Sequence, residues 1–191
     1  MSKGRLEAFS DAVIAIAITI MVLELRVPHG TDWQAVRSVI SVFLSYALSF
    51  VFLGIYWNNH HHMLHVTHRI NGKILWANLH LLFWLSLVPF TTRWMGEDFS
   101  APLPMALYGC VFLFAAVAYT ILQSAIVALL GPESKLAQAV GRDMKGKLSL
   151  GVYLAAIPLA FVRPWVSLSL YVAVALIWLV PDPRIESKLE S

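Results

Sequence analysis

Residues 5–28 read RLEAFSDAVIAIAITIMVLELRVP: a polar cluster of Arg5, Ser10 and Asp11, then a run without charge until Glu24. A cleaved signal peptide begins in a similar way, with basic residues ahead of an apolar core. Here Asp11 stands where that core should start, and the run ends in Leu25, Arg26, Val27 and Pro28 instead of a small-residue cleavage site. A retained membrane helix over about 8–28 is therefore expected.

The rest of the chain repeats the pattern. Of 191 residues, 59% are hydrophobic and 13% charged, whereas soluble domains carry about 25% charged residues; the mean hydropathy is +0.71. Six apolar runs have a length suited to a bilayer core, at about 8–28, 36–57, 74–95, 103–130, 147–163 and 165–181. The last two are divided by Arg163 and Pro164, a natural break between helices. The expected fold class is an all-α membrane protein, with six transmembrane helices forming a single domain over residues 1–191.

Charge supplies an orientation. Lys3, Arg5, Arg69, Lys73, Lys135, Arg142, Lys145, Lys147, Arg184 and Lys188 fall on one side of that arrangement, and only Arg26, Arg37, Arg93 and Arg163 on the other. By the positive-inside rule both termini are expected to be cytoplasmic, in a multi-pass protein of the cell membrane surrounded by lipid. Trp33, Trp57, Trp94 and Trp165 fall near predicted helix ends, where an amphipathic ring suits the headgroup region. The net charge of +3 is scattered between apolar runs, so nucleic acid is not an expected partner. The single cysteine, Cys110, leaves no internal disulfide and no multi-cysteine metal site.

Several polar groups within or beside the apolar runs could carry chemistry. His60, His61, His62, His65 and His68 cluster in WNNHHHMLHVTHRI. Turn-spaced imidazoles permit metal ligation, but without a carboxylate or thiolate beside them a titratable interfacial turn is the simpler reading. Asn78 and His80 lie inside the third run, where polar side chains face the bundle interior and bond neighbouring helices; a proton relay is the sharper alternative. Ser38, Ser41, Ser45 and Ser49 share one helical face, suited to close helix packing or to a polar pathway. No nucleophile elbow, phosphate loop or zinc motif is present, so no enzymatic activity and no cofactor are expected. A secondary transporter using His80, Asn78 and the serine face, or a redox protein using the histidine cluster, remain competing functions at this level.

Angles sort the first helix. At about 100° per residue, with Ile16 at zero, Ile20 falls near +40°, Leu23 near −20° and Thr19 near −60°, one stripe over two turns. Asp11 falls near −140° and Ser10 near +120°, so the polar pair turns away from that stripe.

RLEAFSD, followed by AVIAIAIT and MVLELRVP, resembles the family of the endolysosomal potassium channel, transmembrane protein 175, and its prokaryotic members in particular. The family signature, Arg, three residues, then Phe-Ser-Asp, is matched by Arg5, Phe9, Ser10 and Asp11. YWNNHHHML and NLHLLFWLSLVPFTT also look like family segments, and the likeness spans essentially the whole chain. The resemblance implies a homotetrameric channel for K+ and other monovalent cations, with weak preference for K+ over Na+ and the four first helices around the pore. It places the gate at Ile16, with Ile20 and Leu23 beyond it, and a hydroxyl selectivity layer at Thr19. It also implies a structural polar network at the helix start, from Arg5, Phe9, Ser10 and Asp11 to Asn78 and His80. An apolar ring of this kind gates by dewetting.

Overall fold

The computed structural model describes residues 2–67, 69–140 and 144–179, and among them nine helices and no strand. They are α1 (Lys3–Leu23), α2 (Trp33–Arg37), α3 (Ile40–His65), α4 (Gly72–Ser86), α5 (Val88–Glu97), α6 (Pro102–Leu130), α7 (Lys135–Val140), α8 (Met144–Leu159) and α9 (Pro164–Leu179). His68, Arg142, Arg184, Lys188 and the end of the sixth expected run lie outside the described residues.

The expectation of six spans is corrected to four. Among the described residues only α1, α3, the joined α4 and α5 (Gly72–Glu97), and α6 are long and apolar enough to cross a membrane. Helices α8 and α9 have 16 residues each, which at 1.5 Å per residue is about 24 Å, short of a hydrocarbon core of about 30 Å. The apolar runs misled because part of their length is not helix: residues 160–162 form a turn and Arg163 lies outside both helices. Pro158 sits inside the last turn of α8, where its ring opposes the carbonyl of Leu154 and it has no N–H to donate to that group.

Local sequence explains the other ends. Asp32 caps α2 by accepting the Ala35 N–H at 2.9 Å, and Asn71 caps α4 by accepting that of Ile74 at 3.0 Å. Pro102 opens α6 and Gly131, at φ 90°, closes it, the preferred residues for those positions. Pro89 divides α4 from α5 at Leu87, since it cannot donate to the carbonyl of Leu85. Two span boundaries move accordingly. The first helix begins at Lys3 instead of residue 8 and ends at Leu23; the second begins at Ile40 and continues through His65, so His60, His61, His62 and His65 belong to the helix and not to a turn.

Helix α6 is the hub, packed against α4, α5, α8 and α9, and α3 runs along α5. The serine face is split: Ser38 caps α2, whereas Ser41, Ser45 and Ser49 lie on α3. Ser45 and Ser49 are buried against α5 and α6, Ser49 taking a hydrogen bond from the Thr92 hydroxyl at 2.7 Å and sharing another with Tyr108 at 3.0 Å. That is close packing and not a pathway. Gly96 of α5 is the complementary residue: a Cβ there would lie 2.3 Å from Ser45 Oγ and 3.0 Å from Val42 Cα. Since backbone cannot step aside as a side chain can, Gly96→Ala is expected to separate α3 from α5 and cost about 1–3 kcal/mol, read as a lowered thermal midpoint of the purified protein.

Candidate functional site

Helix α1 packs on α3, α4 and α5 along one side only. Leu6, Ser10, Ile14, Ala17 and Met21 are buried, at intervals of three and four that draw one stripe. The opposite stripe is bare: Ile16 is 55%, Ile20 41% and Leu23 83% exposed, and Arg5, Phe9 and Thr19 are exposed as well. The bundle's own core thus uses one face of α1 and leaves the Ile/Leu face open. The Thr19 hydroxyl donates to the Ile16 carbonyl at 3.0 Å. Its proton is thereby engaged, and its oxygen lone pairs remain on the open face.

The buried stripe is fastened near the start of α1. Ser10 donates to the carbonyl of Leu6 at 2.8 Å and accepts from Asn78 Nδ2 at 2.9 Å. Asn78 Oδ1 in turn lies 2.7 Å from His60 Nε2; because an amide oxygen only accepts, His60 must carry its proton on Nε2. All three residues are buried, so a neutral chain of hydrogen bonds ties α1 to α4 and α3 through fully desolvated partners. Beside it Trp57 Nε1 donates to Asp11 Oδ1 at 3.0 Å, and Lys3 Nζ donates to the His65 carbonyl at 3.0 Å. At the other end Glu24 pairs with Arg93, which also reaches Glu97 at 3.6 Å.

The residues expected to form a network are thus partly brought together. Ser10 and Asn78 meet directly, and Asp11 joins α3 through Trp57. His80 is not among them: it faces outward and accepts from Trp84 Nε1 at 3.0 Å on its own helix. Arg5 and Phe9 lie on the exposed side. The histidine that completes the chain is His60, which the sequence shows only as one of a cluster. Its spacing of three residues from Trp57 places both on the same face of α3, and that was the available signal. His61 and His65 are exposed one turn apart with ring centroids 6.2 Å apart, and among the described residues no three His, Cys, Asp or Glu are grouped to hold a metal ion.

Comparison with known proteins bears on both the motif and the fold. The model of the family described as "Endosomal/lysosomal potassium channel TMEM175" matches residues 5–89, which contain all of α1 but its first two residues and the side chains of Ser10, Asp11, Trp57, His60 and Asn78. A potassium channel of Chryseobacterium sp. (strain P1-3) is 50% identical over 190 residues, covering 100% of this chain and 99% of the relative. A potassium channel of Chamaesiphon minutus is 30% identical over 185 residues, covering 91% of each chain. The crystal structure of a lysosomal potassium-selective channel TMEM175 homolog from Chamaesiphon minutus superposes with a TM-score of 0.80 at 28% identity, covering 93% of this chain and 96% of that one. A helix with one face clamped and one face bare, the signature at its start, and a full-length relative at 50% identity together place this chain in the TMEM175 potassium-channel family.

Proposed function

We propose that the chain is the subunit of a K+-permeable cation channel of the cell membrane, a homotetramer in which four α1 helices surround the pore and Ile16, Ile20 and Leu23 form its apolar constriction. The observation that carries this reading is the two-faced α1, whose Ile/Leu stripe is exposed while the opposite stripe is buried and hydrogen-bonded. A helix that merely faced lipid would have no need of a buried polar clamp to fix its rotation. A helix whose side chains must converge on an axis does, because a rotation of one residue, about 100°, would replace the ring. The names of the relatives supply the ion, and the family resemblance supplies the fourfold assembly.

The orientation follows the charges. Lys3, Arg5, Arg69 and Lys73 lie at the end of the bundle where α1 begins and α3 closes, so that end is assigned to the cytoplasm. K+ is preferred weakly over Na+, and Thr19 contributes that preference by offering hydroxyl oxygens to an ion that has shed part of its water. Thr19→Val keeps the shape and removes the oxygen; it is expected to lower the K+/Na+ permeability ratio by about two- to fivefold, under about 1 kcal/mol of barrier difference, without lowering total flux. Flux of K+ and Na+ in reconstituted vesicles checks this. A flux that saturates and requires a counter-ion would instead support a transporter, and a detergent-solubilised mass other than four times 21.3 kDa would remove the tetramer.

A further inference from the structure

The two ends of α1 are held by different chemistry. Near its start the tie is a buried, neutral chain through Ser10, Asn78 and His60. At its finish the tie is ionic: Arg93 of α5 donates from Nη1 to Glu24 Oε2, with its Nε 3.6 Å from Glu97 Oε1 on its own helix. Glu24 is the C-cap of α1, where unpaired carbonyls carry a partial negative charge and a carboxylate is unfavourable. No basic residue stands in the last turn of α1 to offset it. Arg93 supplies that cation from another helix.

Position along α1 gives the pair a direction. Glu24 follows the buried Met21 by three residues and so continues the buried stripe, whereas Leu23 lies about 200° from Met21, on the bare side. Arg93 is a fixed anchor. Its neighbour Thr92 donates to Ser49 of α3 at 2.7 Å, and Gly96 lies so close to α3 that a Cβ there would meet Ser45 and Val42. After Leu23 the chain has no helix until Trp33. Among the described residues no other hydrogen bond or ion pair joins residues 22–31 to another helix.

We propose that Glu24 and Arg93 are positioning residues for the outer constriction: the pair draws the last turn of α1 toward α5, and Leu23, on the opposite side, is held back from the axis of the tetramer. This rests on the channel reading above. Without the pair the last turn leans toward the axis and the four Leu23 side chains narrow the outer mouth. An ion there sheds hydration against apolar carbon, and conduction falls.

K+ flux is measured in vesicles holding the full chain with Ile16→Asn, so that the inner ring does not limit conduction. Adding Glu24→Gln or Arg93→Gln should lower flux at least about threefold in each case. These two variants change the charge at the outer mouth in opposite senses, so an effect of the mouth's field on local K+ would move flux in opposite directions. Glu97→Gln changes the charge as Glu24→Gln does but spares the pair, and should leave flux unchanged. Arg93→Lys keeps the cation without the planar fork and should retain part of the flux lost in Arg93→Gln. Thermal midpoints should move by less than about 4 °C, since a part-exposed pair adds little to stability. In a Cys110→Ser chain, Leu23→Cys reads the geometry directly: oxidative cross-linking between subunits should rise when Arg93→Gln is added. Opposite flux changes in Glu24→Gln and Arg93→Gln, unchanged flux in both, or a loss of flux that tracks a larger loss of midpoint overturns the proposal. If neither the native nor the Ile16→Asn chain passes K+, the channel reading falls and cross-linking alone decides: a rise supports the positioning role, and no rise overturns it.

Discussion

Ile16→Asn is expected to raise basal K+ flux in reconstituted vesicles at least about tenfold, which corresponds to about 1.4 kcal/mol removed from the barrier. In the proposed tetramer four Ile16 side chains converge on the axis and exclude water, and an ion crossing them loses hydration with nothing in return. Four amides offer donors and acceptors at the same radius, and the constriction wets. The substitution should leave the subunit's own stability within about 0.5 kcal/mol, because Ile16 is more than half exposed in the bundle and contributes little to its core. This pairing of a large functional effect with a small folding effect separates a gate from a packing residue. A variant that unfolds early, or one that folds normally with unchanged flux, removes Ile16 from the gate. Substituting its buried neighbour Ile14 by Asn should do the reverse and cost stability first, since Ile14 is fully buried.

Asn78→Leu is expected to lower stability by about 1–3 kcal/mol and to alter gating as well. Hydrogen bonds between helices in a membrane are modest, averaging about 0.6 kcal/mol, so the two bonds lost are the smaller part. The larger part is the His60 Nε2–H left buried and unpartnered, which carries a penalty of about 1–3 kcal/mol. Ser10 is protected, because its own proton still goes to Leu6. A double variant, His60→Phe with Asn78→Leu, removes the stranded donor and should recover part of the loss; thermal midpoints of the two singles and the double give the coupling. Additive losses would mean that His60 and Asn78 act independently, contrary to the 2.7 Å contact between them.

The two faces of α1 were legible in the chain because helical periodicity is local: the positions of Ile16, Thr19, Ile20 and Leu23 about the axis depend only on their spacing. The membrane character and the charge bias were equally plain, being sums over residues. The count of spans was not. Hydropathy registers that residues 147–163 and 165–181 are apolar, but not that residues 160–163, just after Pro158, leave the helix between α8 and α9. An apolar turn and an apolar helix have the same composition.

What the sequence by itself determined is which side chains share a helical face and which segments prefer lipid to water. Only the tertiary structure decided which partner each polar group meets. His60 and His80 are both imidazoles within or beside apolar runs, and the third run offered His80 as the nearer candidate to Asn78. The packing of α3 and α4 on α1 brings the buried His60 to Asn78, while His80 turns outward to Trp84. That choice depends on the rotation and height of one helix against another, set by contacts such as Ser45 against Gly96 that lie far from the clamp in sequence.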